Sequence, residues 1–350
     1  MTSADLVSPF EVQSMLQRVD FSQLAGKTVL ITGGSGMIGA YIGQVIVRCC
    51  DEAGLQAPAL TLLVRDSKRR SLAWLETRQE VTIIETSLST WRSDNQFDYC
   101  IHAASPASPT KYGSKDSVIE ANVGFLKSIS TGRIPSTILF VSSGEVYGPA
   151  CPEGVTEDFV GELSPASPRS IYPEAKIEAE GLLLELGEQG STKPIIVRLF
   201  HSFGPGVRVD DGRSFADFLW SGAMAQDIKL KSPGKDIRSF LYLEDSIAGI
   251  LTCLTKGIAR ETYNVGSDEA QSVFDFATAV GELSGVRVFV DQTNSTARGQ
   301  YIHSPNVSIV PSNQKLRGLG WTQQITLEDG IMRTILWIKQ DSSEAGRGEN

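Results

Sequence analysis

Two residues of complementary chemistry, Tyr172 and Lys176, lie four positions apart in the segment YPEAK. On an α-helix, side chains at i and i+4 share one face, so this spacing lets a phenol and an ammonium group address one site. A free tyrosine titrates near pH ~10, but a neighbouring positive charge favours the phenolate. The pair is therefore a candidate general base and its partner. The spacing is common by chance in helices, so its weight depends on what the fold places beside it.

Hydroxyl groups follow an apolar run upstream of this pair. The segment STILFVSS, residues 136–143, is typical of a buried strand and ends in Ser142 and Ser143. A hydroxyl at the carboxyl end of that strand could hydrogen-bond the substrate oxygen that Tyr172 deprotonates.

Three glycines, Gly33, Gly36 and Gly39, form a G-x-x-G-x-x-G pattern between the β-branched run KTVLIT and an apolar segment of helical length, residues 37–50. Gly33 permits a tight turn, Gly36 allows close approach of a pyrophosphate, and Gly39 lets the helix pack against the sheet. The helix N-terminus supplies N–H groups and a positive dipole end. The pattern predicts a dinucleotide site, with a merely structural turn as the alternative.

The residues after the second predicted strand bear on which dinucleotide binds. An NAD site usually has an acidic residue there, bonding the ribose 2′-hydroxyl, but the strand ALTLLVR ends in Arg65 and Asp66 follows. Arg65 could accept the 2′-phosphate of NADP, whereas a shift of one residue gives Asp66 the NAD role. The basic residues 68–70 could also be an ordinary solvated loop, so the choice stays open at this point.

The predicted strands and helices must bring these groups together, and their order along the chain indicates the fold. Short apolar runs at VTIIE, FDYCIHAA, STILFVSS and IIVRLF alternate with stretches of helical length, which predicts parallel βαβ units in a doubly wound α/β (Rossmann) sheet. After about residue 195 the alternation stops, and segments 215–225 and 273–283 are expected to be helices of a smaller region. The predicted organisation is an N-terminal extension at 1–26 with a helix on the sheet edge, a dinucleotide-binding domain at 27–199 with returning segments near 238–268, a substrate-binding region at 200–237 and 269–340, and a flexible tail at 341–350.

Composition excludes several other classes of protein. With 350 residues, 41% hydrophobic and 21% charged, the chain suits a globular protein of one or two domains. A net charge of −9 disfavours nucleic-acid binding. Five cysteines without metal-ligand spacing indicate reduced thiols in a cytoplasmic protein, and three scattered histidines predict no metal site. There is no apolar secretory segment at the N-terminus and no apolar run long enough for a membrane span.

The ordered motifs TGGSGMIG, HAASPASP, SSGEVYG, YPEAK, RLFHSFGPG, DDGRSF and IRSFLYLED resemble the extended short-chain dehydrogenase/reductases that act on nucleotide sugars. The likeness covers roughly residues 27–268 and is nearest to the UDP-glucuronate decarboxylases, on the segments HAASPASP and GPGVRVDDGRSFADF. It implies a tightly held NAD, or NADP because of Arg65, a nucleotide-diphosphate sugar as substrate, and a homodimer. Within the family, a C4 epimerase and a 4,6-dehydratase are the alternatives, and a non-catalytic dinucleotide-binding protein is the alternative from another class.

The resemblance implies a role for each matching residue. Ser143 takes the place of the catalytic Thr or Ser, with Tyr172 as base and Lys176 as its partner, while Glu145 falls where decarboxylases and dehydratases keep a glutamate. Gly144 replaces the acid that dehydratases use. The predicted cofactor-binding residues are Gly33, Gly36, Met37, Ile38, Gly39, Arg65, Asp66, Ala103, Ala104, Ser105, Tyr172 and Lys176. The predicted substrate-binding residues are Ser105, Ser143, Glu145, His201, Arg213 and Arg238, the two arginines gripping the diphosphate.

Further polar residues carry weaker expectations. His201 stands where the decarboxylases have Asn, and it is expected to bind or pack. Asn122 is expected to support the active-site helix, with a surface amide as the alternative, and His102 to end a strand beside the cofactor or to lie in the core. A set of aromatic residues is expected to fill the core of the smaller region: Phe200, Phe203, Phe215, Phe218 and Trp220.

Overall fold

A seven-stranded, fully parallel sheet forms the centre of this computed structural model, which describes residues 4–106, 114–164, 170–291 and 308–345. The strands are β1 (Thr28–Thr32), β2 (Ala59–Val64), β3 (Val81–Glu85), β4 (Tyr99–His102), β5 (Thr137–Ser143), β6 (Lys193–Leu199), β7 (His201–Phe203), β8 (Ile228–Leu230), β9 (Ile237–Arg238), β10 (Phe240–Tyr242), β11 (Glu261–Val265), β12 (Gln271–Ser272), β13 (Val288–Val290) and β14 (Ser308–Ile309). The helices are α1 (Pro9–Arg18), α2 (Met37–Glu52), α3 (Lys115–Ile119), α4 (Phe125–Ile129), α5 (Ile171–Glu188), α6 (Ser214–Ala223), α7 (Leu243–Lys256), α8 (Val273–Ser284), α9 (Gln314–Arg317) and α10 (Leu327–Ala345).

The order of the large sheet is β3-β2-β1-β4-β5-β6-β11, with every pairing parallel. The order reverses between β1 and β4, and at such a point a crevice opens beyond the carboxyl ends of the strands. The doubly wound α/β fold predicted from the sequence is therefore confirmed.

Alternation along β1 explains how both faces of the sheet are covered. Val29 and Ile31 join one apolar cluster, which includes side chains of α2 and α7, while Leu30 joins a second cluster on α4 and α5. Successive strand residues point to opposite faces, so the three central apolar residues of β1 serve both layers. The carboxyl ends of the strands are thereby left as the open edge for chemistry.

The N-terminal segment forms a helix as expected, but it does not lie at the sheet edge. Helix α1 begins with a Ser8–Glu11 capping box, and its buried residues Val12 and Met15 pack into the cluster of α2 and α7. An apolar helix stripe needs an apolar partner, and the outer surfaces of these two helices supply one. The N-terminal segment is thus a third layer over one face of the sheet.

The smaller region has its own apolar core between α6, α8 and α10. Phe203, Phe215 and Phe218 are buried in it and Trp220 packs against it, whereas Phe200 belongs to a separate cluster beside Tyr147. The sequence predicts a flexible tail from residue 341, but residues 341–345 belong to α10; residues 346–350 lie outside the described residues.

Candidate active site

The glycine loop is shaped by close backbone contacts. Gly33 has a φ of +70°, and a Cβ there would lie 2.8 Å from the Cα of Ala104; a Cβ on Gly39 would lie 2.4 Å from the carbonyl oxygen of Gly33. Helix α2 begins at Met37 after Gly36, which has no side chain to cap it. The first amides of the helix have no intrahelical acceptor, so this cradle fits the pyrophosphate of a dinucleotide.

The end of β4 lies across from this loop. Ala103, Ala104 and Ser105 follow His102 directly and are half-buried. The amide of Ala104 donates to the hydroxyl of Thr32, so the chain after β4 is tied to the end of β1. The three residues assigned to the cofactor therefore border the glycine cradle.

His102 ends β4 as expected and is fully buried. Burial lowers the pKa of His102 to about 3, so its ring is neutral. Its Nε2 donates to the main-chain oxygen of Asn122 over 2.9 Å, and its Nδ1 lies 2.6 Å from the hydroxyl of Thr32. Asn122 is itself buried in a π-helical turn, Glu120–Gly124, that packs on α5. Both residues connect the site to its supporting helix.

The loop after β2 presents both candidate determinants of the dinucleotide. The strand ends at Val64, and Arg65 comes next with an exposed side chain. Asp66 accepts a hydrogen bond from the amide of Lys68 and forms an ion pair with Arg69 at 3.0 Å. The carboxylate thus already has local partners, whereas Arg65 extends to solvent.

The structure brings the proposed base and the serine together. Tyr172 lies in the first turn of α5, Ser143 ends β5, and Glu145 lies in the 3-10 turn Gly144–Tyr147 that follows. Burial raises the pKa of Tyr172, and the charge of Glu145 raises it further. The hydroxyl of Ser143, the charge of Arg213 and the nearby hydroxyl of Ser105 oppose this rise.

Lys176 is buried beside Tyr172. Its Nζ donates to the carbonyl oxygen of Val141 over 2.7 Å and lies 4.6 Å from the ring centroid of Phe140 and 5.6 Å from that of Tyr172. Burial lowers the pKa of Lys176 to about 7, and the charge of Glu180 opposes the decrease. An ammonium group in this position stabilises a phenolate on Tyr172.

Arg213, the residue before α6, extends towards the reacting groups. It pairs with Asp211 and lies over the ring of Phe215 at 4.7 Å, and its charge interacts with those of Tyr172 and Glu145. The sequence predicts that Arg213 binds the diphosphate, and this stays a prediction; the structure places its charge within electrostatic reach of Tyr172 and Glu145.

The two other predicted substrate contacts lie on short strands. Arg238 in β9 pairs with Asp236 at 3.2 Å, and its guanidinium donates to the carbonyl oxygen of Ile237. His201 opens β7 with a half-buried ring, edge-on to Phe240 at 5.7 Å. The contact with Phe240 agrees with a packing role for His201.

Gly144 is tightly enclosed. A Cβ there would lie 2.7 Å from a ring carbon of Phe200, so the ring occupies the space that a side chain would need. Sequence reasoning placed Phe200 in the smaller core and missed this role. An aromatic residue next to a strand end was too weak a signal to find it.

A buried ion pair, Glu180 with Arg198, also escaped sequence reasoning. Arg198 donates to both carboxylate oxygens of Glu180, from Nε over 3.1 Å and from Nη2 over 2.8 Å. The spacing Lys176 to Glu180, again i to i+4, was the available signal. Arg198 lies on strand β6, so spacing along the helix could not predict that it pairs with Glu180.

The described residues hold neither a metal-binding cluster nor a membrane-spanning helix. No group of three or more His, Cys, Asp or Glu side chains is arranged to hold a metal ion there. None of the described helices is long and apolar enough to cross a membrane. His303 lies outside the described residues.

The sequence of this chain is similar to a known protein family and to named relatives. The model of the NAD dependent epimerase/dehydratase family matches residues 29–266. UDP-glucuronic acid decarboxylase 6 of Arabidopsis thaliana is 26% identical over 92% of this chain and 92% of its own length; decarboxylase 1 of Xenopus tropicalis is 24% identical over 90% and 73%.

Solved structures share the fold. A UDP-glucuronic acid 4-epimerase variant from Bacillus cereus, in complex with UDP-4-deoxy-4-fluoroglucuronic acid and NAD, has a TM-score of 0.73 at 21% identity and covers 89% of this chain and 99% of its own. The epimerase Mth375 from Methanothermobacter thermautotrophicus has a TM-score of 0.76 at 18% identity, over 97% and 99%.

Proposed function

The chain belongs to the NAD-dependent epimerase/dehydratase family, and from this premise we propose that it decarboxylates UDP-glucuronate by redox chemistry at sugar C4. The observation that carries the proposal is the convergence of Ser143, Glu145 and Arg213 on Tyr172. The curated relatives named as UDP-glucuronic acid decarboxylases support the choice of substrate.

In this mechanism Tyr172 takes the proton of the sugar 4-hydroxyl, assisted by the charge of Lys176. A nicotinamide dinucleotide held by the glycine cradle and residues 103–105 would supply the hydride acceptor for C4 and the hydride donor for the final reduction. The resulting 4-keto uronic acid is a β-keto acid, so CO2 leaves C5 with the electron pair held as an enolate. Ser143 and the protonated Tyr172 donate hydrogen bonds to that oxyanion. Glu145 holds the ring or a water during reprotonation of C5; hydride return yields a UDP-pentose, and early release yields the 4-ketopentose.

Arg213 gives the site a preference for acidic sugars. Its guanidinium is close enough to Tyr172 and Glu145 for electrostatic interaction, so a substrate carboxylate at C5 would meet a positive charge there. This favours a uronate over a neutral hexose. Arg238 and His201 remain candidates for the rest of the nucleotide-sugar.

Two alternatives within the family lead to different products. A 4-epimerase would use the same base and serine and return hydride to the opposite face of the sugar. A 4,6-dehydratase would need an acid at position 144, and the ring of Phe200 fills that space. Dehydration is therefore the less favoured of the two.

We propose NAD as the cofactor, because a solved structure of the same fold contains NAD. NADP is the alternative, and the loop after β2 supports it: Arg65 is exposed and suited to a 2′-phosphate, and the ion pair of Asp66 with Arg69 weakens the ability of Asp66 to bind a 2′-hydroxyl. We also propose a homodimer in the cytoplasm; the five buried free thiols fit a reducing compartment.

The decisive experiment incubates the purified protein with UDP-glucuronate and measures the product mass. We expect a loss of about 44 mass units, the mass of CO2. An unchanged mass with altered stereochemistry would favour epimerisation, and loss of water would favour dehydration. Mass analysis of the nucleotide released on denaturation identifies NAD or NADP. A protein that neither carries nor binds either cofactor would contradict the enzyme proposal.

A further inference from the structure

One buried carboxylate, Glu180, lies on α5 one helical turn beyond Lys176. Its side chain is 8% exposed, and its position at i+4 puts it on the same helix face as the lysine. A buried carboxylate is costly unless it is paired and hydrogen-bonded. The groups that pair with the Glu180 carboxylate therefore indicate its role.

Two groups from neighbouring strands hold the Glu180 carboxylate. Ser142 at the end of β5 donates to Oε1 over 2.5 Å, and Arg198 of β6 donates to both oxygens. Arg198 is fixed in turn, lying over the ring of Tyr147 at 4.8 Å and donating to the carbonyl oxygen of Glu157 over 3.0 Å. A bidentate arginine–carboxylate pair of this kind sets both position and orientation.

The negative charge of Glu180 interacts electrostatically with Lys176. Burial disfavours the ammonium form of Lys176, and Glu180 is the charged group that opposes this effect. Ser142 directly follows Val141, whose carbonyl accepts the ammonium of Lys176, so one strand positions both the lysine and the glutamate.

The other described groups around Lys176 supply no competing negative charge. On β4 and β5 they are the neutral ring of His102, the ring of Phe140 and the carbonyl of Val141. Glu145 acts on Tyr172. On the elements packed against α5, Lys115 pairs with Glu174 and Lys127 with Glu178. Asp116 and Glu120 are also exposed, and Glu120 accepts a hydrogen bond from Ser89.

We propose that Glu180, held by Ser142 and Arg198, is a positioning residue that maintains the positive charge of Lys176 next to Tyr172. The inference rests on the proposed function, since the charge matters only if Tyr172 is the base. In this proposal Glu180 acts through Lys176 and not by direct contact with the substrate or the cofactor.

The test measures the protonation of Lys176 directly. The protein is labelled with 13C at lysine Cε, the Lys176 signal is assigned with the variant K176M, and the signal is titrated by NMR in the cofactor-free protein. E180Q should lower the titration midpoint by about one pH unit, because the carboxylate is lost and Arg198 is left as an unpaired positive charge. The matched control is E185Q, an exposed glutamate further along the same helix, which should leave the midpoint unchanged.

A double variant separates charge from structure. E180Q/R198M removes the unpaired arginine and should regain thermal stability, yet its Lys176 midpoint should stay below that of the wild type. Near-UV circular dichroism verifies folding, and the double variant serves as the test if E180Q does not fold. A wild-type midpoint in a folded E180Q or E180Q/R198M protein would overturn the proposal.

Activity provides the second measurement. If the protein decarboxylates UDP-glucuronate, the alkaline limb of kcat should move to lower pH in E180Q. Above the new midpoint, kcat should be reduced about tenfold for each pH unit by which the limb moves. An unchanged limb together with an unchanged NMR midpoint contradicts the role of Glu180 and leaves the proposed function intact. A lowered midpoint in a protein without decarboxylase activity supports the electrostatic role and contradicts the proposed function.

Discussion

At the scale of single residues, the groups around Tyr172 shift the pKa of its phenol in opposite directions. Burial and Glu145 raise the pKa of Tyr172, while Ser143, Ser105 and Arg213 lower it. Without a cofactor the phenol therefore stays protonated at neutral pH. The positive nicotinamide of an oxidised cofactor and a charged Lys176 would complete the activation of the base.

Substitution of the base should separate chemistry from binding. Y172F removes the proton acceptor but keeps the ring, so turnover of UDP-glucuronate should fall by about 10²- to 10⁴-fold while cofactor binding persists. Steady-state kinetics and nucleotide titration by fluorescence measure the two effects. Y99F, which alters a half-buried tyrosine on β4 outside the site, is the control and should keep normal turnover. Full activity of Y172F would show that another group is the base.

At the scale of elements, the turns between strands and helices position the residues of the site. In the turn between β1 and α2, the glycines leave almost no space for a side chain. The Cβ that any other residue would add at Gly39 meets the backbone of Gly33, not a flexible side chain. Backbone cannot move aside without opening the cradle. We therefore expect cofactor binding to depend on the close packing of α2 against the glycine loop.

Two glycine-to-alanine changes in helices should have opposite effects. G39A should destabilise the protein by about 1–3 kcal/mol and weaken nucleotide binding, because a methyl group overfills the contact. G181A, at an exposed position of α5 where a Cβ meets nothing within 4 Å, should stabilise by up to about 1 kcal/mol through its higher helix propensity. Urea denaturation and nucleotide titration measure both. Equal stabilities would contradict the steric argument.

At the scale of the whole molecule, the N-terminal segment joins parts that are distant in sequence. Arg18 of α1 pairs with Glu244 and Asp245 of α7 and donates to the carbonyl oxygen of Thr322 over 3.1 Å. Arg333 of α10 pairs with Glu244 from the other side at 2.9 Å. The carboxylates of Glu244 and Asp245 are fully buried, so the two arginines are needed to offset the cost of burying these negative charges.

Loss of one arginine should destabilise the entire fold. R18M leaves Glu244 and Asp245 short of a partner, which should cost about 3 kcal/mol near neutral pH. Burial already raises the pKa of both carboxyls, and removal of Arg18 should raise it further. Protonation then favours the folded variant, so the difference in Tm from the wild type should shrink as the pH falls from 8 to 5 and grow as it rises.

The control for this prediction is an exposed pair. R287M breaks the ion pair of Arg287 with Asp227, whose arginine is 85% exposed, and should leave Tm unchanged. Calorimetry over the pH range measures both variants. A pH-independent loss in R18M would indicate that the arginine contributes packing and not charge.

The sequence by itself determined the parallel sheet, the glycine turn and the pairing of Tyr172 with Lys176, because these depend on local periodicity and on spacing within one element. The tertiary structure decided the place of α1, the closure of Gly144 by Phe200, the electrostatic interaction of Arg213 with Tyr172 and the pairing of Arg198 with Glu180. Each of these joins residues on different elements. Their distance depends on how layers pack, and neither hydrophobic pattern nor spacing along one chain segment contains that information.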